Sequence, residues 1–71
     1  MDINEIAVFL KKERIRRGYT RNKIIGISGL HRDTVIAIEN GDVGYNIKAL
    51  IAYCDAVNIS INLNEIKINK N

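Results

Sequence analysis

Ile3, Ile6, Ala7 and Leu10 recur at three- and four-residue intervals, the spacing of one face of a helix. Asp2 or Asn4 can cap this segment, Glu5 suits its first turn, and Gly18 stops it, so the pattern predicts a helix over about residues 3 to 17. Thr20 is an N-cap for a second, short helix over about 20 to 27, with Ile24, Ile25 and Ile27 as its apolar contacts. Gly26 inside it weakens its helix propensity, so that helix depends on packing. Ser28-Gly29-Leu30 reads as a turn. A third helix is expected over about 31 to 40, with Leu30, Val35 and Ile38 directed inward and Asn40-Gly41 as its stop. Asn46 caps a fourth, over about 46 to 57, on which Ile47, Leu50, Ile51, Cys54 and Val57 form an apolar stripe.

From Asn58 the period changes to two. Ile59, Ile61 and Leu63 alternate with Ser60, Asn62 and Asn64, and the alternation resumes out of step at Ile66 and Ile68, as at a bulge or turn. This predicts a mainly α fold, four helices over residues 1–58 followed by a short C-terminal β-strand or strand pair over 59–71. A lone strand has no partner within such a chain, and a second copy can supply the missing edge. Ile59, Ile61 and Leu63 are therefore the expected dimerisation residues of a homodimer.

Seventy-one residues allow one small domain of marginal stability. Cys54 is the single cysteine, so no disulfide is available within the chain, and its apolar neighbours point to a buried thiol in a reducing, cytoplasmic setting. No apolar run approaches the ~20 residues of a membrane span, and acidic Asp2 and Glu5 differ from the basic start of a signal peptide. A basic face lying on anionic lipid is disfavoured because the apolar side of the first helix is needed for the core.

The net charge of +3 is unevenly placed. Residues 1–32 carry eight basic and three acidic side chains, whereas residues 33–71 carry three basic and five acidic ones. A basic half beside two short helices joined by a glycine turn, RNKIIGISGLHRDTVIAIEN, is suited to a polyanion, because lysine and arginine at phosphates release condensed counterions.

From Leu10 to Ile59 the chain resembles helix-turn-helix proteins of the phage-repressor and Cro type, the XRE family. The resemblance is carried by Arg14 four residues before Gly18, Thr20 opening the second helix, Gly29 in the turn, the segment TVIAIENG, and NIKALIAYCDAVNI beyond it. It implies that Arg14 and Glu39 form a partly buried structural pair, and that Asn40 meets phosphate. It also places the N-terminal end of the third helix in the major groove, which makes His31, Arg32, Asp33, Ile36 and Ala37 the base-reading positions. Arg32 leads them, since a bidentate arginine to guanine is the commonest specific contact. Asp33 either accepts from cytosine or complements the helix dipole; Ile36 either touches a thymine methyl or extends the core; His31 starts the helix and touches phosphate rather than binding a metal. Arg21, Asn22 and Lys23 are the remaining phosphate candidates. The chain departs from the family pattern at Arg21, where glutamine is usual, and at Ile25, where a small residue is usual, with Gly26 read as the accommodation.

The resulting expectation is a cytoplasmic regulator that binds double-stranded DNA as a homodimer at an inverted repeat and represses by occlusion. The alternative is an antitoxin-like module that holds a toxin-like partner protein, since antitoxins of the HipB kind resemble this layout, including a strand after the last helix. One histidine and one cysteine with no nucleophile, base or metal constellation around them point away from an enzyme, and no cofactor or metal is expected.

Overall fold

A computed structural model of the chain describes residues 2–42 and 44–59. Within them lie four helices: α1 (Ile3–Arg16), α2 (Arg21–Ser28), α3 (Arg32–Asn40) and α4 (Ile47–Ala56). The expected strand lies outside the described residues, Ile61 and Leu63 included; only Ile59 falls within them, half-buried against the core.

Local chemistry sets the helix boundaries. Asp2 and Glu5 form a reciprocal capping box, the Asp2 carboxylate accepting from the Glu5 N–H at 2.8 Å and the Glu5 carboxylate from the Asp2 N–H at 3.0 Å. Thr20 Oγ1 accepts from the Lys23 N–H at 3.1 Å and Asn46 Oδ1 from the Ala49 N–H at 2.9 Å, so α2 and α4 start one residue after side chains that satisfy otherwise unpaired amides. Gly29 and Gly41 close α2 and α3 in the left-handed region, with φ of 76° and 79°. At Gly41 a Cβ would also lie 2.5 Å from Asn4 Oδ1, so the exposed Asn4 side chain would have to shift.

The core joins Ile6 and Leu10 of α1, Ile24 of α2, Val35 and Ile38 of α3, and Leu50, Tyr53 and Cys54 of α4, with Val57 just beyond. α1 packs mainly on α3, and α2 on both α3 and α4. Burial pushes the Cys54 thiol up to about 12, so it is protonated at neutral pH.

Three expectations about packing are corrected. α4 is turned partly away from the expected stripe: Leu50, Cys54 and Val57 are buried as expected, but Ala49, Tyr53 and Ala56 complete the inward face, while Ile47 and Ile51 are 42% and 41% exposed. Ile27 is 51% exposed and makes little core contact, leaving Ile24 as the buried residue of α2 and Ile25 packed at the core's edge. Gly26 accommodates nothing, since a Cβ built there would meet no atom within 4 Å.

Candidate nucleic-acid interface

The buried centre of the molecule is a carboxylate. Glu39, one residue before the end of α3, accepts from Arg14 Nε at 2.7 Å and Arg14 Nη2 at 3.1 Å, from Arg21 Nε at 3.0 Å, and from the Tyr53 hydroxyl. One donor side chain thus arrives from each of the other three helices, and the four bonds fill the acceptor capacity of an ionised carboxylate. Burial pushes the Glu39 carboxyl up, but the hydrogen bonds from Arg14, Tyr53 and Arg21 outweigh it and hold the group below its ordinary value. Tyr53 is pushed well above its usual range by burial and by its bond to the carboxylate. The remaining Arg14 donor, Nη1, reaches the Tyr19 carbonyl at 2.8 Å and fixes the connection between α1 and α2.

Around this anchor, α2 and α3 pack against each other. Ser28 Oγ donates to the Ile24 carbonyl at 2.6 Å and accepts from the Leu30 N–H at 3.1 Å, while the Gly29 N–H bonds the Ile25 carbonyl at 2.9 Å. Ser28 therefore closes the last turn of α2 and fixes the start of the connection to α3. α3 is held from behind by Val35, Ile38 and Glu39. Its opposite face carries Asp33 and Asn40, both exposed, with Ile36 and Ala37 half-buried between them; Arg32 is exposed in the first turn, on the side of the helix nearer Glu39, and His31 is the exposed N-cap and makes no side-chain capping bond. Ile36 and Ala37 are thus less outward than the expected base-reading set required.

The cations divide into committed and uncommitted groups. Arg16 and Arg17 both pair with Glu13, whose carboxyl those hydrogen bonds lower to about 2. Arg14 and Arg21 pair with Glu39, so the Nε of Arg21, a sequence-level phosphate candidate, is already engaged. Arg32 Nη2 donates to Asn22 Oδ1 at 2.6 Å, which links the first turns of α3 and α2 and leaves the arginine's charge uncompensated. Exposed Lys23 places its ammonium 5.9 Å from the centre of the Tyr19 ring, a cation–π contact. Among the described residues, Lys11, Lys12, Lys23, Arg32 and Lys48 are in no ion pair.

A cleft of about 420 Å³ opens beside the turn, lined by Gly29, Leu30, His31, Thr34, Tyr45 and Lys48 among others. The Tyr45 hydroxyl is buried with no hydrogen-bond partner among the described residues. Among the described residues, no group of three or more His, Cys, Asp or Glu side chains is placed to hold a metal ion, and no helix is long and apolar enough to cross a membrane.

Sequence reasoning missed Tyr53 and the second role of Arg21. The signal for both was stoichiometric: a buried carboxylate has about four acceptor sites and one arginine fills about two, so further donors were required. The sequence matches no protein-family model and no curated protein.

Proposed function

We propose that the chain is a sequence-specific binder of double-stranded DNA, a helix-turn-helix transcriptional regulator that acts as a homodimer on an inverted repeat and represses by occupying it. The observation that supports this reading is the α2–α3 unit, two short helices joined by a turn that Ser28 and Gly29 shape, with Arg32 and Asp33 exposed at the start of α3 and Asn22 and Lys23 beside them on α2. A helix anchored from behind and bare in front suits insertion into a major groove about 12 Å wide. In this reading Arg32 reads guanine, with His31, Asp33, Ile36 and Ala37 as its neighbours along the groove. Lys23, Asn22, Asn40 and the remaining donors of Arg21 meet phosphate. The protein works in the cytoplasm, without cofactor or catalysis.

The test is selection of bound duplexes from a random DNA pool near physiological salt. Enrichment of an inverted repeat is the expected result. A folded protein that enriches no sequence would overturn the reading.

A second reading, a module that holds a partner protein as antitoxins do, is favoured by the outer face of α1. Val8 and Ile15 are 55% and 57% exposed there, flanked by exposed Lys11 and Lys12. Such a surface suits an apolar patch rimmed with acidic side chains. Copurification of a single stoichiometric protein from the native host would support it, and the two readings are compatible.

A further inference from the structure

Among the described residues, α4 has one face that nothing covers. Ile47, Lys48, Ile51 and Asp55 fall at i, i+1, i+4 and i+8, all exposed, with the small, half-buried Ala52 beside Ile51. Lys48 and Asp55 make no ion pair among the described residues, and at seven residues apart on a helix, about 10 Å, they do not reach each other.

The order of these residues has a symmetry property. Lys48 lies three residues before Ile51 and Asp55 lies four after it, so the face carries a positive end, an apolar middle and a negative end. When two copies of such a face are laid antiparallel across a twofold axis between Ile51 and Ala52, Lys48 of each copy meets Asp55 of the other, and Ile51 packs against Ala52. A parallel arrangement would oppose Lys48 to itself. The exposed apolar face of α1 differs: Glu5 lies one turn before Val8, but Lys11 and Lys12 sit midway between Val8 and Ile15, so antiparallel pairing about the middle of that face would bring lysine against lysine.

We propose that this face of α4 is the seam of a homodimer, occupied by α4 of a second copy in antiparallel orientation. The inference rests on the homodimer of the proposed function and adds a surface to it, one made of described residues. The two isoleucines leave water together, and the two Lys48–Asp55 pairs set orientation and register rather than supplying most of the affinity. A stripe on a ten-residue helix is small beside the roughly 800 Å² per partner of a standard interface, so the dimer is expected to dissociate at about micromolar concentration.

The experiment is sedimentation equilibrium of the full chain without DNA, over a concentration series, for the wild type, Lys48→Glu, Asp55→Lys and the double variant. Both side chains are exposed, so helix content by circular dichroism should be unchanged in all four proteins. The wild type should move from 8.0 kDa toward twice that mass as concentration rises. Each single reversal opposes like charges at both ends of the seam and should weaken association about tenfold or more, and the double reversal, which restores opposite charges, should recover it.

A wild type that stays at 8.0 kDa throughout would overturn the proposal, as would single reversals without effect or a double reversal that does not recover association. Single reversals without effect on a protein that still dimerises would move the interface elsewhere and leave the DNA reading intact. Recovery by the double variant together with failed DNA selection would keep the seam and remove the DNA reading.

Discussion

The two tyrosines of the α4 region carry the same hydroxyl in opposite circumstances, and their phenylalanine variants should differ in sign. The Tyr53 hydroxyl donates to Glu39, so Tyr53→Phe removes a hydrogen bond to a charged group and should cost about 1.5–3 kcal/mol. The Tyr45 hydroxyl is buried without a partner among the described residues, so Tyr45→Phe removes a desolvated group and should be neutral or stabilising by about 1 kcal/mol. Urea unfolding of the two variants checks both, and destabilisation of equal size would show that Tyr45 has a donor or acceptor partner. Glu39 itself titrates below its ordinary 4.5 in the folded protein, so its contribution to stability is complete above that value and is lost as pH falls through the lower, folded one. Glu39→Gln should therefore be clearly less stable than the wild type near pH 7, with the gap closing as pH drops below about 4.5. A gap independent of pH would mean that the network's charge is irrelevant. Of this network only the Arg14–Glu39 pair was legible in the sequence, through the family resemblance. Arg21 and Tyr53 lie 18 and 14 residues from Glu39, and nothing local in the chain marks a contact over that separation.

At the scale of elements, caps, stops and the inward faces of α1 and α3 were legible, and the full inward face of α4 was not. Asp2, Thr20, Asn46, Gly29 and Gly41 act on their own neighbours, so their meaning can be read from a few residues. The orientation of α4 is different in kind. Ile47, Ala49, Leu50, Ile51, Ala52, Tyr53, Cys54 and Ala56 make the helix apolar almost all round, and periodicity cannot choose a face where nearly every face qualifies. The buried side holds Ala49, Leu50, Tyr53, Cys54 and Ala56, with the Tyr53 hydroxyl on Glu39, and it leaves Ile47 and Ile51 outside. α2 was misjudged for the converse reason. Gly26 beside Ile25 looked like a space-saving pair, yet the glycine faces open space at an ordinary helical φ. Gly26→Ala should raise stability by about 0.5–1 kcal/mol, or several degrees in Tm for a chain this size, through helix propensity alone. A drop in Tm would show that the position is covered in solution.

For the whole molecule, the pairing of charges redefines what a basic half can do. Of the eight cations in residues 1–32, Arg16 and Arg17 share Glu13, and Arg14 and Arg21 share Glu39. Lys11, Lys12, Lys23 and Arg32 lie outside ion pairs among the described residues, and only Lys23 and Arg32 belong to the α2–α3 unit. Under the proposed function this separates three phenotypes. Lys23→Ala removes a phosphate contact carrying no sequence information, so affinity should fall by a similar factor on every duplex and the salt dependence should lose about one ion per site. Arg32→Ala removes the leading base reader, so discrimination of about 1–3 kcal/mol at one position per half-site should disappear while binding to unrelated DNA changes less. Arg21→Ala combines a lost cation with a lost donor to Glu39, so weaker DNA binding should come with a lower Tm, which the other two variants should not show. Affinity measured on specific and unrelated duplexes at several salt concentrations, with Tm for each protein, resolves all three. If Lys23→Ala and Arg32→Ala weaken binding alike on every sequence, α3 does not read bases, and the uncommitted cations act only as a diffuse charge.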